Sequence, residues 1–229
     1  MILTGRLLAA ASLIPQGRTI ADIGTDHGYL PVYACEQKRI PRAIAADIVS
    51  GPLQAAIAHV QGAGLADVIE CRLGDGLTCI QPGEVDGAVI CGMGGPLMVR
   101  ILQQSPAVWK SMQFLILQPQ SHSGVLRHFL YTQGWHIEEE TLLVDDGRLY
   151  ELMRAVPGKA ELLPDWMYEV GPINWQRKNP LLRRKIQLLV EQKMRICQGL
   201  KKSRDDKSQQ IRMLEDEITS WEDKTCQLQ

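Results

Sequence analysis

No stretch of this sequence is apolar for long enough to cross a bilayer. A run such as Leu7 to Pro15 falls well short of the roughly 20 residues that a spanning helix needs. It follows Arg6 and contains Ala9-Ala10-Ala11, so a secretory leader has to be weighed. The basic start is thin, however, and Leu3, Leu7, Ala11 and Ile14 fall at helical spacing, so the segment reads as an amphipathic first helix. Paired cysteines are also lacking. Cys35, Cys71, Cys79, Cys91, Cys197 and Cys226 show no C-x-x-C and no paired spacing, and read as buried thiols in a reducing cytoplasm. There is no internal repeat and no low-complexity segment. With 45% apolar and 22% charged residues over 229 positions, the chain can bury a full core without staples. The expectation is a cytoplasmic protein with no membrane partner; its oligomeric state is left open, a monomer being favoured.

Net charge is almost absent at −1, but it is unevenly distributed. Residues 1–176 hold 12 basic against 18 acidic residues, whereas residues 177–229 hold 13 against 8. Within Arg177 to Lys207 the ratio is 11 to 3. An acidic body with a basic tail points to a polyanionic partner, the alternative being a solvated helix face.

Up to about residue 155 the chain alternates between β-rich apolar runs and helical stretches. Strands are expected at Thr19–Gly24, Arg42–Asp47, Val68–Leu73, Asp86–Cys91, Phe114–Gln118, Trp135–Glu139 and Arg148–Val156. Helices are expected at Gly28–Gln37, Pro52–Ala63, Pro96–Gln104 and Ser123–Gln133. The spacing is that of βαβ units in a parallel sheet. The last two strands, joined around Asp145-Asp146-Gly147, leave no room for a helix and read as an antiparallel pair at the sheet edge. The fold class is therefore α/β, a doubly wound sheet of seven strands. Pro157 to Pro180, with four prolines and two glycines, marks the domain boundary, giving domains 1–156 and 157–229. Beyond it, Leu182, Ile186, Leu189, Ile196 and Leu200 recur at helical spacing, as do Ile211, Leu214, Ile218 and Trp221. Ser203-Arg204-Asp205-Asp206 between them favours a turn. The expectation is an antiparallel coiled-coil-like pair, with one bent helix as the alternative.

The most informative segment is Asp22-Ile23-Gly24-Thr25-Asp26-His27-Gly28-Tyr29-Leu30-Pro31, a strand end, tight loop and helix start. In a doubly wound sheet this turn is where an adenosine-containing cofactor lies. Asp47, at the next strand end, is placed to accept ribose hydroxyls. The dinucleotide fingerprint G-x-G-x-x-G is missing its middle glycine, since Thr25-Asp26-His27 separates Gly24 from Gly28. Carboxylates at Asp22 and Asp26 would repel a pyrophosphate. S-adenosylmethionine has no phosphate and carries a cationic ammonium and sulfonium, so the charge sign selects it over NAD. Asp75, in Leu73-Gly74-Asp75-Gly76, could accept the adenine amino group. The cluster Cys91-Gly92-Met93-Gly94-Gly95 lets a ligand approach backbone closely. Gly24, Thr25, His27, Gly28, Gly76, Gly92, Met93 and Gly94 complete the expected cofactor set.

These segments, with Leu117-Gln118-Pro119-Gln120, Tyr168-Glu169-Val170-Gly171-Pro172 and Lys178-Asn179-Pro180, closely resemble the bacterial tRNA (adenine-22-N1)-methyltransferase family. The similarity runs over essentially the whole chain and is weakest after Leu200; the family more often has Ser where Thr25 stands. The resemblance implies a Rossmann-like class I methyltransferase domain, a helical C-terminal domain, S-adenosylmethionine as cofactor and tRNA as partner. The expected reaction is methylation of a ring nitrogen of one adenine. Asn-Pro-Pro-aromatic, common in adenine amino-methylating enzymes, is absent after the fourth strand, which fits attack by N1.

For that chemistry Asp26 is the candidate to stabilise the developing cationic base, and Tyr29 the candidate to stack on a base drawn out of its helix. Gln118, Arg183, Arg184 and Lys185 are expected to meet substrate. His122 and His128 have no third ligand at a recognisable spacing, so no metal is expected. Cys91 reads as a small buried hydrophobe rather than a catalytic thiol. Three other readings stay open here: a methyltransferase for a small molecule, an NAD-dependent dehydrogenase, and a non-catalytic RNA-binding protein on a methyltransferase fold.

Overall fold

The computed structural model describes residue 3 and residues 5–203, 205–226 and 228. The chain divides into two compact units, residues 1–173 and 174–229. In the first, seven strands form one sheet: β1 (Ile20–Ile23), β2 (Ala43–Asp47), β3 (Ile69–Leu73), β4 (Gly87–Gly94), β5 (Phe114–Ser121), β6 (Trp135–Asp145) and β7 (Arg148–Pro157). Their order is β3-β2-β1-β4-β5-β7-β6. Strands β1 to β5 pair in parallel, and β7 runs antiparallel to both β5 and β6.

Both faces of the central strands are buried, which is why β1 and β2 read as continuous apolar runs rather than alternating ones. Helices α1 (Gly5–Leu13), α2 (Tyr29–Glu36) and α3 (Ser50–Gly62) pack with Ile20, Ala45, Val89 and Ile116 on one face. Helices α4 (Gly95–Gln104), α5 (Pro106–Trp109) and α6 (Ser123–Thr132) pack with Ala21, Ile44, Ile90 and Leu117 on the other. The sheet changes winding direction between β1 and β4. Doubly wound folds bind ligands in the crevice beyond the carboxyl ends of the strands at such a point.

The terminal hairpin turns through Asp146 (φ 46°) and Gly147 (φ 74°), the paired positive angles of a tight two-residue turn. Of this pair β6 is the edge strand, opposite β3 at the other edge of the sheet, and β7 lies inside, next to β5.

Residues beyond 157 belong to the first unit as far as Ile173, not to the C-terminal one as the proline spacing implies. The reason is a buried anchor. Arg127 of α6 is fully enclosed, donates to Glu140 of β6 and Glu151 of β7, and also to the Tyr168 carbonyl (2.8 Å). Tyr168, in α7 (Asp165–Val170), packs its ring against Tyr131 and His128.

In the second unit, which begins within α8 (Pro172–Gln176), α9 (Leu182–Lys201) and α10 (Ser208–Cys226) are separate helices. They pair antiparallel through Lys193–Glu217 and Lys201–Glu215. Of the expected turn, Arg204 lies outside the described residues. The buried positions on α9 are Leu182, Lys185, Ile186 and Cys197. Ile196, expected to face inward, is 47% exposed. Eleven residues on from Ile186 returns a helix to within about 20° of the same face, whereas ten leaves it about 80° away.

Candidate active site

The β1 exit loop is pinned to β2. The Gly24 and Thr25 N–H groups both donate to the Ala46 carbonyl, at 2.9 and 3.0 Å. Gly24 has φ 72°, and a Cβ there would stand 2.4 Å from Met93 Cε, so the β1 and β4 exits approach to a distance that only glycine allows. Gly28 (φ 69°) packs closely on Ala56 of α3. Thr25 Oγ1 donates to Asp22 Oδ2 at 2.6 Å, and both residues are buried. Asp47 accepts the Asp26 N–H on Oδ2 (3.1 Å) and the Val49 N–H on Oδ1 (2.9 Å). Those bonds orient the Asp47 carboxylate, and each oxygen retains a second lone pair for a ligand.

Asp26 sits at φ 54° with its side chain 68% exposed. His27 and Tyr29 stack at 5.3 Å, and His59 of α3 meets Tyr29 edge-on. Tyr29 is 39% exposed, so its ring belongs to the rim rather than the core. Asp75 is exposed beside buried Gly76 (φ 59°), and the Gly74 N–H donates to the Asp47 carbonyl. Ile48, Val49 and Leu73 are exposed at the β2 and β3 exits. They offer an apolar contact for a planar ring that sequence reading missed, because an exposed aliphatic residue after a strand carries no motif.

Burial pushes the Asp22 carboxyl up to about 6; the Thr25 hydrogen bond opposes this and the Asp47 charge adds to it. The folded pKa therefore lies above the unfolded one. Between about pH 4 and 6 the folded state keeps a proton that the unfolded state has lost, so stability without ligand falls as pH rises through that window. Above it Asp22 is a buried carboxylate, suited to a cationic ligand group. A cationic methyl donor should accordingly bind more tightly as pH rises from 5 to 7, and Asp22→Asn should weaken binding and flatten the dependence. Calorimetry across that range checks this, and a flat wild-type profile would count against it.

At the β4 exit the strand bulges between Cys91 and Met93, with Gly92 at φ 79°. Gln118 of β5, expected to meet substrate, is instead wholly enclosed. Its Oε1 accepts the Gly92 N–H (3.1 Å) and Arg6 Nη1 (3.2 Å). Two donors on that oxygen fix the amide orientation, so Gln118 is a positioning residue. Burial and the Asp22 charge push the Cys91 thiol well above its ordinary range, away from nucleophilic use. Gly94 caps α4 in an extended conformation.

Arg183 and Arg184 are exposed, as a nucleic-acid contact requires. Lys185 is 3% exposed, which removes it from that set: one helical step beyond Arg184 turns its stem to the apolar side of α9. Among the described residues no cluster of three or more His, Cys, Asp or Glu could hold a metal, and no helix is long and apolar enough to cross a membrane.

The crevice fits the expected donor: carboxylates stand at the β1 and β2 exits, three exits carry glycines at positive φ, and the β1 loop offers no pyrophosphate cradle. The sequence matches the family described as methyltransferase domain over residues 3–153. It is 37% identical over 188 residues to the tRNA (adenine(22)-N(1))-methyltransferase of Bacillus subtilis, covering 80% of this chain and 79% of that protein. The crystal structure of the B. subtilis m1A22 tRNA methyltransferase TrmK superposes with a TM-score of 0.89 at 32% identity, over 97% of this chain and 98% of that one. Streptococcus pneumoniae Sp1610, solved in complex with S-adenosyl-L-methionine, superposes with a TM-score of 0.87 at 30% identity, over 97% and 99% of the two chains.

Proposed function

The chain belongs to the tRNA (adenine(22)-N(1))-methyltransferase family, and from that membership we infer the reaction and the work of each residue in the crevice. The protein is an S-adenosylmethionine-dependent enzyme that methylates N1 of an adenine in tRNA. The observation that carries the reading is the convergence of Asp22, Thr25, Asp26 and Asp47 at one pinned pair of strand exits. A small-molecule substrate or a dehydrogenase reaction has no comparable support.

The bound donor supplies an electrophilic methyl group on a positively charged sulfur. Asp22 offers its carboxylate to the donor ammonium, and Asp47 its remaining lone pairs to the ribose. Gly24, Gly28, Gly76 and Gly92 keep the walls close. N1 of adenine has its own lone pair, so the protein need not remove a proton before attack. Its work is to align the base, exclude water and accommodate the positive charge that the ring acquires. Tyr29, exposed on the rim and backed by His27 and His59, stacks on the base. Asp26 faces the developing cation.

Mass spectrometry of digested tRNA, after incubation with protein and S-adenosylmethionine, tests the assignment. One 1-methyladenosine per substrate tRNA is the expected result; unmodified tRNA, or methyl on another nucleoside, would overturn it.

Exposed Arg177, Lys178, Arg183 and Arg184 of the C-terminal unit are assigned to the RNA backbone. The double reversal Arg183→Glu/Arg184→Glu should weaken tRNA binding and leave donor binding intact. It should also flatten the log–log salt dependence by roughly 0.7–0.9 for each phosphate that the side chains no longer neutralise. A salt titration with an unchanged slope would return these side chains to the role of a solvated helix face.

A further inference from the structure

The donor assignment uses the exits of β1, β2 and β3, and the next exits on the other side of β1 are those of β4 and β5. They are left for the base that receives the methyl group, which must also be told apart from other bases. We propose that Gln120, at the end of β5, reads the target adenine through N7 and its 6-amino group. This role rests on the reaction assigned above and names the residue that recognises its base.

β5 is buried from Phe114 to Pro119 and emerges only at Gln120 and Ser121. Gln118 and Gln120 share a face of the strand; Gln118 Oε1 accepts the Gly92 N–H, and Gln120 stands beyond it at the exit. Gln120 Nε2 is 3.7 Å from where a Cβ on Gly92 would stand, and Ser121 Oγ is 3.1 Å from the same point on Gly94. These glycines leave open the space beside the β5 exit. Met93 of β4 reaches Gly24 of the donor loop, so a single strand separates that loop from Gln120. Among the described residues the Gln120 side chain has no hydrogen-bond partner, whereas Gln118 accepts from both Arg6 and Gly92. Methylation at N1 needs the N1 lone pair facing the methyl group, so the protein cannot hold the base by a hydrogen bond to N1. The opposite edge, N7 and one N6–H, is unaffected by that requirement. A primary amide matches it: Oε1 accepts from N6 while Nε2 donates to N7, the pairing that Gln and Asn make with adenine elsewhere. Guanine presents two acceptors on that edge and a pyrimidine has no N7, so each leaves one group of the amide unpaired.

Methylation kinetics of the full-length protein test this, on synthetic tRNAs that carry either adenine or 7-deazaadenine at the methylated position. 7-Deazaadenine keeps N1 and the amino group and replaces N7 by a C–H, which accepts no hydrogen bond. Gln120→Ala should lower kcat/KM on the adenine tRNA by roughly 10- to 100-fold, the worth of a bidentate amide–adenine pair. On the 7-deazaadenine tRNA the gap between the two proteins should shrink by roughly 5-fold or more, because the variant has no N7 bond to lose. Any change in the intrinsic reactivity of N1 is common to both proteins and cancels in that comparison. Gln120→Glu keeps an acceptor for N6 but sets a second acceptor against N7, so relative to wild type it should favour 7-deazaadenine. Calorimetric affinity for S-adenosylmethionine should be unchanged in both variants. Activity of Gln120→Ala within a few-fold of wild type on adenine, or the same gap on both tRNAs, would overturn the proposal. So would a matching loss of donor affinity, which would place Gln120 in the donor site. If wild type methylated neither tRNA, the assigned reaction would fail, and the role of Gln120 with it.

Discussion

Asp26→Asn is expected to reduce turnover by roughly 10²-fold while changing donor and tRNA affinity little. Asn is the informative choice because Asp26 holds φ 54°. That left-handed region costs an ordinary residue roughly 1–2 kcal/mol, and Asn tolerates it best after Gly. Alanine would mix backbone strain with loss of charge, and would loosen the Asp26 N–H bond to Asp47 that helps shape the ribose site. The Asn side chain keeps size, backbone and one acceptor while removing the negative charge. Because the carboxylate is 68% exposed, water screens it in the free enzyme. Its field gains strength once RNA covers the rim, so the deficit should appear in kcat rather than in ground-state binding. Single-turnover methylation with saturating tRNA makes the measurement. A rate within a few-fold of wild type, with unchanged circular dichroism, would remove Asp26 from the chemistry.

The largest effect on stability is expected at Arg127, far from the reacting atoms. The side chain is fully buried, and its guanidinium lies 3.0 Å from Glu140 Oε2 and 2.8 Å from Glu151 Oε2. It also donates to Ser123 Oγ and to the Tyr168 carbonyl. Arg127→Met keeps most of the apolar stem and removes the charge, leaving two carboxylates in a site built around a cation. Breaking a buried network from one side costs about 3–5 kcal/mol. For a chain of this size that lowers the melting temperature by roughly 2–4 °C per kcal/mol. Since Arg127 also holds the Tyr168 carbonyl, the segment after β7 should become the first point of proteolytic cleavage. Replacing Glu140 and Glu151 by Gln alongside Arg127→Met should recover part of the stability, because the stranded charges are then removed as well. A single-variant destabilisation below about 1 kcal/mol in urea unfolding would mean that water reaches the site and the network is not an anchor.

The seven strands, the helices between them and the charge logic of the β1 exit were legible along the chain. Each is encoded locally: Ile20 to Ile23 is a buried strand by its unbroken apolar run, and Asp146-Gly147 is a hairpin turn by its backbone preference. The negative sign of Asp22 and Asp26 disfavours a pyrophosphate wherever the loop finally lies. What depends on partners distant in sequence was not legible. Gln118 reads as a polar residue at a strand end, yet packing encloses it and turns it into the support for Gly92 and Arg6, the latter 112 positions away. Lys185 adds to the positive count of the tail but lies on the buried side of α9, and Cys197 rather than Ile196 faces inward, because a helix period drifts against any short apolar pattern. The first unit ends after Ile173 rather than before Pro157 because Arg127 and Tyr131 of α6 and Glu140 of β6, none of them near that boundary in sequence, gather the intervening residues onto the sheet. Periodicity and charge sign are properties of neighbouring residues and survive in a bare sequence; burial, shared acceptors and ion-pair partners exist only once distant segments have met.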